Sequence, residues 1–137
     1  MKAMIMAAGY GSRMGTLTND TPKPLLRVGE WCLIEHLLFQ LADAGINEVV
    51  INISYLAERF IEVLGNGSRY GVTIHYSHEA EPLLWGGGIT HALPLLGNEP
   101  FLAISGDLAT DYPFATLLQH NHSAAHLVLT DKGRGHP

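Results

Sequence analysis

Residues 3–8, AMIMAA, are apolar at every position. A strand that faces water on one side alternates polar and apolar residues, so an unbroken apolar run asks for cover on both faces, which helices on either side of a parallel sheet supply. Residues 47–54, NEVVINIS, and 101–105, FLAIS, read as further buried strands, GVTIHYS at 71–77 alternates as a third, and AAHLVLT at 124–130 reads as a fifth. Between them lie helical patterns. Leu33, Ile34, Leu37, Leu38 and Leu41 recur at helical spacing before Gly45, and Leu56, Phe60, Val63 and Leu64 mark a second helix that stops near GNGS. A polar turn, HEAEPLLWGGG, leads into a short helix through Ile89, Ala92 and Leu93, which Pro94 ends or bends. Asp111 is placed to cap a helix carrying Phe114, Leu117 and Leu118, with Pro113 in its first turn.

Strand and helix in alternation, with right-handed crossovers, specify an α/β fold: a doubly wound, mostly parallel sheet in one domain. Ligands of such sheets bind at the carboxyl ends of the strands. Two polar segments leave from those ends, AAGYGSRMGTLTNDTPKPLL at 7–26 and GDLATD at 106–111. A loop of twenty residues inside a compact domain has a function or is disordered. Arg13, Lys23 and Arg27 fall inside or just after it, while the formal net charge of the chain is -5. A cationic spot on an acidic protein suits a small anion and argues against nucleic acid as partner. Cys32 is the single cysteine, so no intrachain disulfide forms, and a reducing, cytoplasmic setting is expected. The first apolar run is too short for a signal peptide or a membrane span, so no membrane association is expected.

Two common phosphate loops do not match. A dinucleotide fingerprint needs glycine where Met14 stands, and the hydrolase P-loop needs Gly-Lys-Ser or Gly-Lys-Thr where Lys23 lies between prolines. Gly9-Tyr10-Gly11-Ser12-Arg13 followed by Pro22-Lys23-Pro24-Leu25 resembles instead the first loop of the sugar-phosphate nucleotidyltransferase family. GDLATDYPF at 106–114 is similar to that family's metal-binding Gly-Asp, and EPLLWGGGI at 81–89 to its nucleotide-recognising turn. Residues 77–97 are most similar to bacterial members acting on N-acetylmuramate-1-phosphate.

The resemblance implies a Rossmann-like, GT-A-like fold and transfer of a nucleoside monophosphate to a sugar-1-phosphate with release of pyrophosphate. It points to UMP from UTP and to N-acetylmuramate-1-phosphate as acceptor, with guanylyl or uridylyl transfer to mannose- or glucose-1-phosphate as the alternative. It implies that Arg13 clamps the β and γ phosphates, and that Lys23 touches the α-phosphate and the incoming sugar phosphate. Gly9, Gly11 and Ser12 would make room for the triphosphate, the Ala8 backbone with Glu81 and Gly86 would hold the base, Asp107 would bind Mg²⁺, and Ser105 would sit beside it on the substrate. The pattern is altered at Gly15-Thr16, where the family carries Arg-Pro, at Trp85, where Thr is common, and at Ser105, where Asn is common.

Plainer readings stand beside these. Gly9 and Gly11 suit a tight turn, Asp107 a helix cap, and Gly86 to Gly88 close packing of a helix on a sheet. His120 and His122, two apart, do not share a helix face and read as surface residues, while Cys32 reads as a small packed hydrophobe at a helix start. Family members run well past this chain, and their carboxy-terminal part carries most sugar contacts and a second metal Asp. Residues 1–137 are therefore expected to be the nucleotide-binding part, without the sugar-binding part, as a monomer or a weak dimer. A nucleotide-binding module without chemistry is the alternative for the whole.

Overall fold

The computed structural model describes residues 1–120 and 124–129. Strand β1, Lys2–Met6, opens the chain. A long loop then carries two 3-10 segments, Ser12–Thr18 and Lys23–Leu25. Two short strands, β2 at Arg27–Val28 and β3 at Trp31–Cys32, form an antiparallel pair before α1, Leu33–Asp43. The main alternation continues with β4, Glu48–Ile53, α2, Ala57–Leu64, β5, Thr73–His78, α3, Leu84–Leu96, and β6, Phe101–Ser105.

The four long strands form one parallel sheet in the order β5-β4-β1-β6. Its register explains the apolar runs. Ile5 lies opposite Ile51 on one side and Ile104 on the other. Odd-numbered positions of β1 and β4, Ala3, Ile5, Val49, Ile51 and Ile53, share a core with Ile34, Leu37, Leu38 and Leu41 of α1 and with Phe60 and Leu64 of α2. Even-numbered Met4 and Val50 pack instead on Ala92 and Leu96 of α3. Both faces are sealed, and each fully buried aliphatic or aromatic side chain contributes about 1.5–3 kcal/mol.

The helices divide between the faces because crossovers keep one hand. From β1 to β4 to β5 the chain moves outward in one direction and lays α1 and α2 on one face. From β5 to β6 it returns past β1, and the same handedness places α3 on the other. That reversal puts the loops leaving β1 and β6 side by side, at the switch point where ligands bind.

Several expectations are corrected. The helix expected from Asp111 is a 3-10 segment, Phe114–Gln119, and Asp111 does not cap it. Pro113, at φ -77 and ψ 89, holds the chain out of helical geometry, and the Tyr112 N–H is bonded locally to Thr110 Oγ1 at 3.0 Å. Phe114 and Leu117 are buried as expected, Leu118 is exposed. The strand expected at 124–130 does not form over 124–129, and Thr130 lies outside the described residues. A β-prone sequence becomes a strand only where a neighbouring backbone pairs with it and a surface buries it. Here Leu127 and Leu129 are exposed and pair with no strand among the described residues.

The turn expected to hold Gly86 to Gly88 is the beginning of α3, and Pro94 lies inside that helix without ending it. Only Leu95 and Leu96 follow it, so the missing donor falls in the last turn, and the Gly97 N–H still bonds to Leu93 O at 2.9 Å. Leu93 turns out to solvent; Gly88, Ala92 and Leu96 are the residues that α3 buries. No helix among the described residues is long and apolar enough to cross a membrane.

Candidate active site

The loop after β1 folds because it satisfies itself. Gly11, at φ +64, lies in the left-handed region that glycine tolerates. Its carbonyl accepts the Met14 N–H at 3.0 Å and the Thr18 hydroxyl at 2.9 Å. A methyl on Gly11 would stand 3.1 Å from Thr18 Cγ2 and 3.3 Å from Lys23 Cβ, so the turn closes directly under Lys23. Beyond it Pro22, Pro24 and Leu25 are buried, and the Leu25 N–H bonds to Pro22 O at 2.8 Å. Two fixed prolines thus anchor the backbone while the Lys23 side chain projects out of it.

At the neighbouring strand end, the Gly106 N–H bonds to Met6 O at 2.8 Å and carries β6 past its last residue. A Cβ there would lie 3.0 Å from Met6 O, a contact so tight that a larger residue would have to push the strand end aside. The next residue is Asp107. Lys23 Nζ donates to Asp107 Oδ2 at 2.6 Å, and the Ser105 hydroxyl donates to Oδ1 at 2.5 Å. Partial burial pushes the Asp107 carboxyl up, but the hydrogen bonds from Lys23 and Ser105 and the lysine charge outweigh it and hold the group below its usual range.

Around this pair opens a cleft of about 340 Å³. Arg13, Lys23, Ser105 and Asp107 give it polar and charged lining, Pro82, Leu84 and Trp85 give it apolar lining, and residues 7–9 line it as well. Arg13 is exposed and forms no ion pair among the described residues. Gly9 has nothing within 4 Å of where its Cβ would be, so its small size leaves open space rather than a packing contact.

Of the residues singled out in the sequence, Ala8, Gly9, Gly11, Arg13, Lys23, Ser105 and Asp107 therefore converge on one cleft. Three do not line it. Ser12 faces an adjoining hollow with Tyr10, Thr16, Thr18 and Tyr55. Glu81 is exposed just before the start of α3, and Gly86 is exposed in its first turn, with no atom within 4 Å of its Cβ position.

Asn52 was not foreseen, although a lone amide inside the apolar run VVINI was a signal. It is buried at the end of β4, accepts the Ala7 N–H on Oδ1 at 2.6 Å and donates to Glu79 Oε1 at 2.8 Å. Glu79, also buried, takes the Leu83 N–H on its other oxygen at 2.9 Å. This strut ties the first loop to the start of α3. Gly88 packs against it so closely that a Cβ would meet Asn52 Nδ2, Glu79 Oε1 and Met6 Cε, each at 2.9 Å. The helix start is also strained: Leu84 has φ +59, which costs a branched residue about 1–2 kcal/mol.

Among the described residues no group of three or more His, Cys, Asp or Glu is placed to share a metal ion, and Asp107 is the one carboxylate that lines the cleft. One hard carboxylate suits a Mg²⁺ ion that takes most of its ligands from phosphate and water, and does not suit an all-protein metal cage.

A profile of the nucleotidyl transferase family matches residues 2–133. The chain is 48% identical over 143 residues to "N-acetylmuramate alpha-1-phosphate uridylyltransferase" of Neisseria meningitidis serogroup B, an alignment covering 100% of this chain and 62% of that protein. It is 35% identical to "Mannose-1-phosphate guanylyltransferase catalytic subunit beta" of Drosophila melanogaster, over 96% of this chain and 37% of that one. Its structure superposes with a TM-score of 0.81 at 26% identity on a putative glucose-1-phosphate thymidylyltransferase from Bacillus anthracis, covering 87% of this chain and 49% of the other. The chain thus spans less than two thirds of each of these relatives. With the fold, the first loop and the profile in agreement, it belongs to the nucleotidyl transferase family.

Proposed function

We propose that these residues form the nucleotide-binding part of a Mg²⁺-dependent sugar-1-phosphate nucleotidyltransferase. The observation that carries this reading is the meeting of Lys23 and Asp107 at 2.6 Å, from loops 84 residues apart in sequence, at the switch point of the sheet. In the reaction, a phosphate oxygen of the sugar-1-phosphate attacks the α-phosphorus of a nucleoside triphosphate, a new P–O bond forms, and the bond to pyrophosphate breaks. Negative charge gathers on the phosphoryl oxygens, so the protein's task is to position them and neutralise them.

Each residue then has a defined task. Arg13 presents its fork of donors to the β and γ phosphates. Lys23 sets one ammonium between the α-phosphate and the incoming phosphate. The backbone at Ala8, Gly9 and Gly11 gives the triphosphate close approach, with Ser12 at the far side of that turn and Glu81 and Gly86 toward the base. Asp107 holds the metal, which when bound supplies positive charge to the phosphate oxygens. Ser105 fixes the rotamer of Asp107 through its hydroxyl. The 48% identity to a uridylyltransferase favours UTP as donor and N-acetylmuramate-1-phosphate as acceptor, with mannose-1-phosphate and GTP as the second pair to assay.

A second reading, nucleotide binding without turnover, is favoured by one fact: the alignment covers 62% of the uridylyltransferase, so over a third of that protein lies outside it. Release of pyrophosphate, measured with each of four triphosphates and a panel of sugar-1-phosphates, tests the first reading. Calorimetric binding of a triphosphate without release supports the second, and absence of binding rejects both.

A further inference from the structure

The cleft ends in an apolar shelf for which the core gives no reason. Leu84 is 79% exposed and Trp85 49% exposed, side by side at the start of α3, and both line the same cleft as Arg13 and Lys23. Large apolar side chains left in water at a cleft mouth mark a ligand surface more often than an accident of folding. The backbone is also held there deliberately. The Ala7, Asn52, Glu79 and Leu83 hydrogen bonds fix the start of the helix, the tight seat of Gly88 prevents it from backing away, and Leu84 keeps a left-handed φ of +59.

The buried polar groups beneath the shelf are engaged with one another and with the backbone. Asn52 Oδ1 is taken by the Ala7 N–H, and both oxygens of Glu79 are occupied. These side chains are committed to the strut, whereas the Trp85 side chain stands half exposed in the cleft. Resting on the nucleotide reading above, we infer that Trp85 is the residue that binds the nucleobase, by stacking on its face, and so determines that the site prefers a nucleotide to a bare polyphosphate. Every base has a π-face, so a stacking platform serves purine and pyrimidine alike.

Binding of inorganic tripolyphosphate, UTP and GTP to the chain, each measured by calorimetry, separates the base from the phosphates. Both nucleotides bind about tenfold or more tightly than tripolyphosphate. Trp85→Ala removes that advantage for UTP and GTP together and leaves tripolyphosphate within about twofold, and Trp85→Phe restores most of it. Trp31, the other tryptophan, is half-buried with its ring edge-on to Phe39 at 5.0 Å, so in Trp31→Phe the remaining fluorescence comes from Trp85 alone. That signal is quenched by UTP and GTP and not by tripolyphosphate. The inference is overturned if Trp85→Ala leaves the nucleotide advantage intact, lowers it for one base only, or weakens tripolyphosphate equally. Tripolyphosphate binding with no nucleotide advantage in the unaltered chain overturns the inference alone; failure to bind any of the three overturns the nucleotide reading along with it.

Discussion

Two carboxylates in this fold are held below their usual range by hydrogen bonds and a neighbouring cation that outweigh burial, and their surroundings differ. Glu35 is 5% exposed at the start of α1. Its Oε2 accepts the Cys32 N–H at 2.8 Å, and its Oε1 accepts from Tyr70 at 2.7 Å and from Arg69 at 2.8 Å. Burial pushes its carboxyl up, but these bonds and the Arg69 charge outweigh that. The same burial and bonding push the Tyr70 phenol up to about 12. Asp107 has the same kind of partners, Lys23 and Ser105, yet it lines an open cleft at the ends of β1 and β6, where lone pairs remain within reach of a ligand. A perturbed carboxylate marks a site only where its unused valences face a ligand. Glu35 spends one oxygen on capping α1 and the other on joining that helix to the turn at Ser68–Tyr70.

Lys23→Ala breaks the comparison at its functional end and has the largest expected effect. If the two clusters are as different as their surroundings, nucleotidyl transfer falls by about 10² to 10³, the scale for removing one donor to developing charge. Stability changes little, because a pair about one third exposed contributes roughly 0–1 kcal/mol. Pyrophosphate release and urea unfolding, run on one preparation, read both. A large loss of stability with activity retained would assign Lys23 a structural role.

Glu35→Gln attacks the other end. Loss of the buried charge weakens the helix cap and the bonds to Tyr70 and Arg69, so stability at pH 7 falls by about 1–3 kcal/mol while nucleotide affinity is unchanged. The acid limb reports the cause. A carboxyl whose folded pKa lies below its ordinary value stabilises the fold above that value and loses the contribution as pH falls through the folded one. For Glu35 that loss comes below 4.5, and for Asp107 below 3.8. Urea midpoints measured from pH 6 downward therefore decline less steeply in Glu35→Gln than in the unaltered chain, and an identical slope would remove Glu35 from the account.

How much of this was legible in the sequence depended on whether a residue's role was local. Lys23 between two prolines and Asp107 after an apolar strand both sit where the chain leaves the sheet, so motif and topology coincide. The cap on α1 was hidden because Cys32 stands where serine or threonine usually announces it, although Glu35 is at the customary spacing. Asn52 depends on Ala7, 45 residues away, and Glu35 on Tyr70, 35 away, and no periodicity encodes such partners. The β2 and β3 pair is two residues long on each side, below the length at which alternation can be read. Residues 124–129 failed in the opposite sense: the propensity was present, and among the described residues the partner strand was not.

Gly88→Ala sharpens the comparison between cleft floor and cleft mouth. Its methyl would press on Asn52, Glu79 and Met6, an overpacking cost of about 1–3 kcal/mol, and because those contacts carry the strut under the first loop, triphosphate affinity falls with stability. Asn52→Asp, placing a second carboxylate against Glu79, is the control for the strut itself, and calorimetry together with thermal unfolding reads both variants.

Gly86→Ala gives the smallest effect and decides what the triple glycine is for. Like Gly88 two residues on, Gly86 has an ordinary φ, but unlike Gly88 it has nothing within 4 Å of its Cβ position, so packing does not require glycine there. In the first turn of α3 an alanine is favoured over glycine by about 0.5–1 kcal/mol, and thermal unfolding should shift slightly upward. If the open space at Gly86 is kept for the base, the same substitution weakens UTP binding while leaving inorganic tripolyphosphate unaffected. A gain in stability with unchanged UTP affinity would show that the glycine serves neither packing nor ligand, and would confine base contacts to the side of the cleft where Leu84 and Trp85 stand.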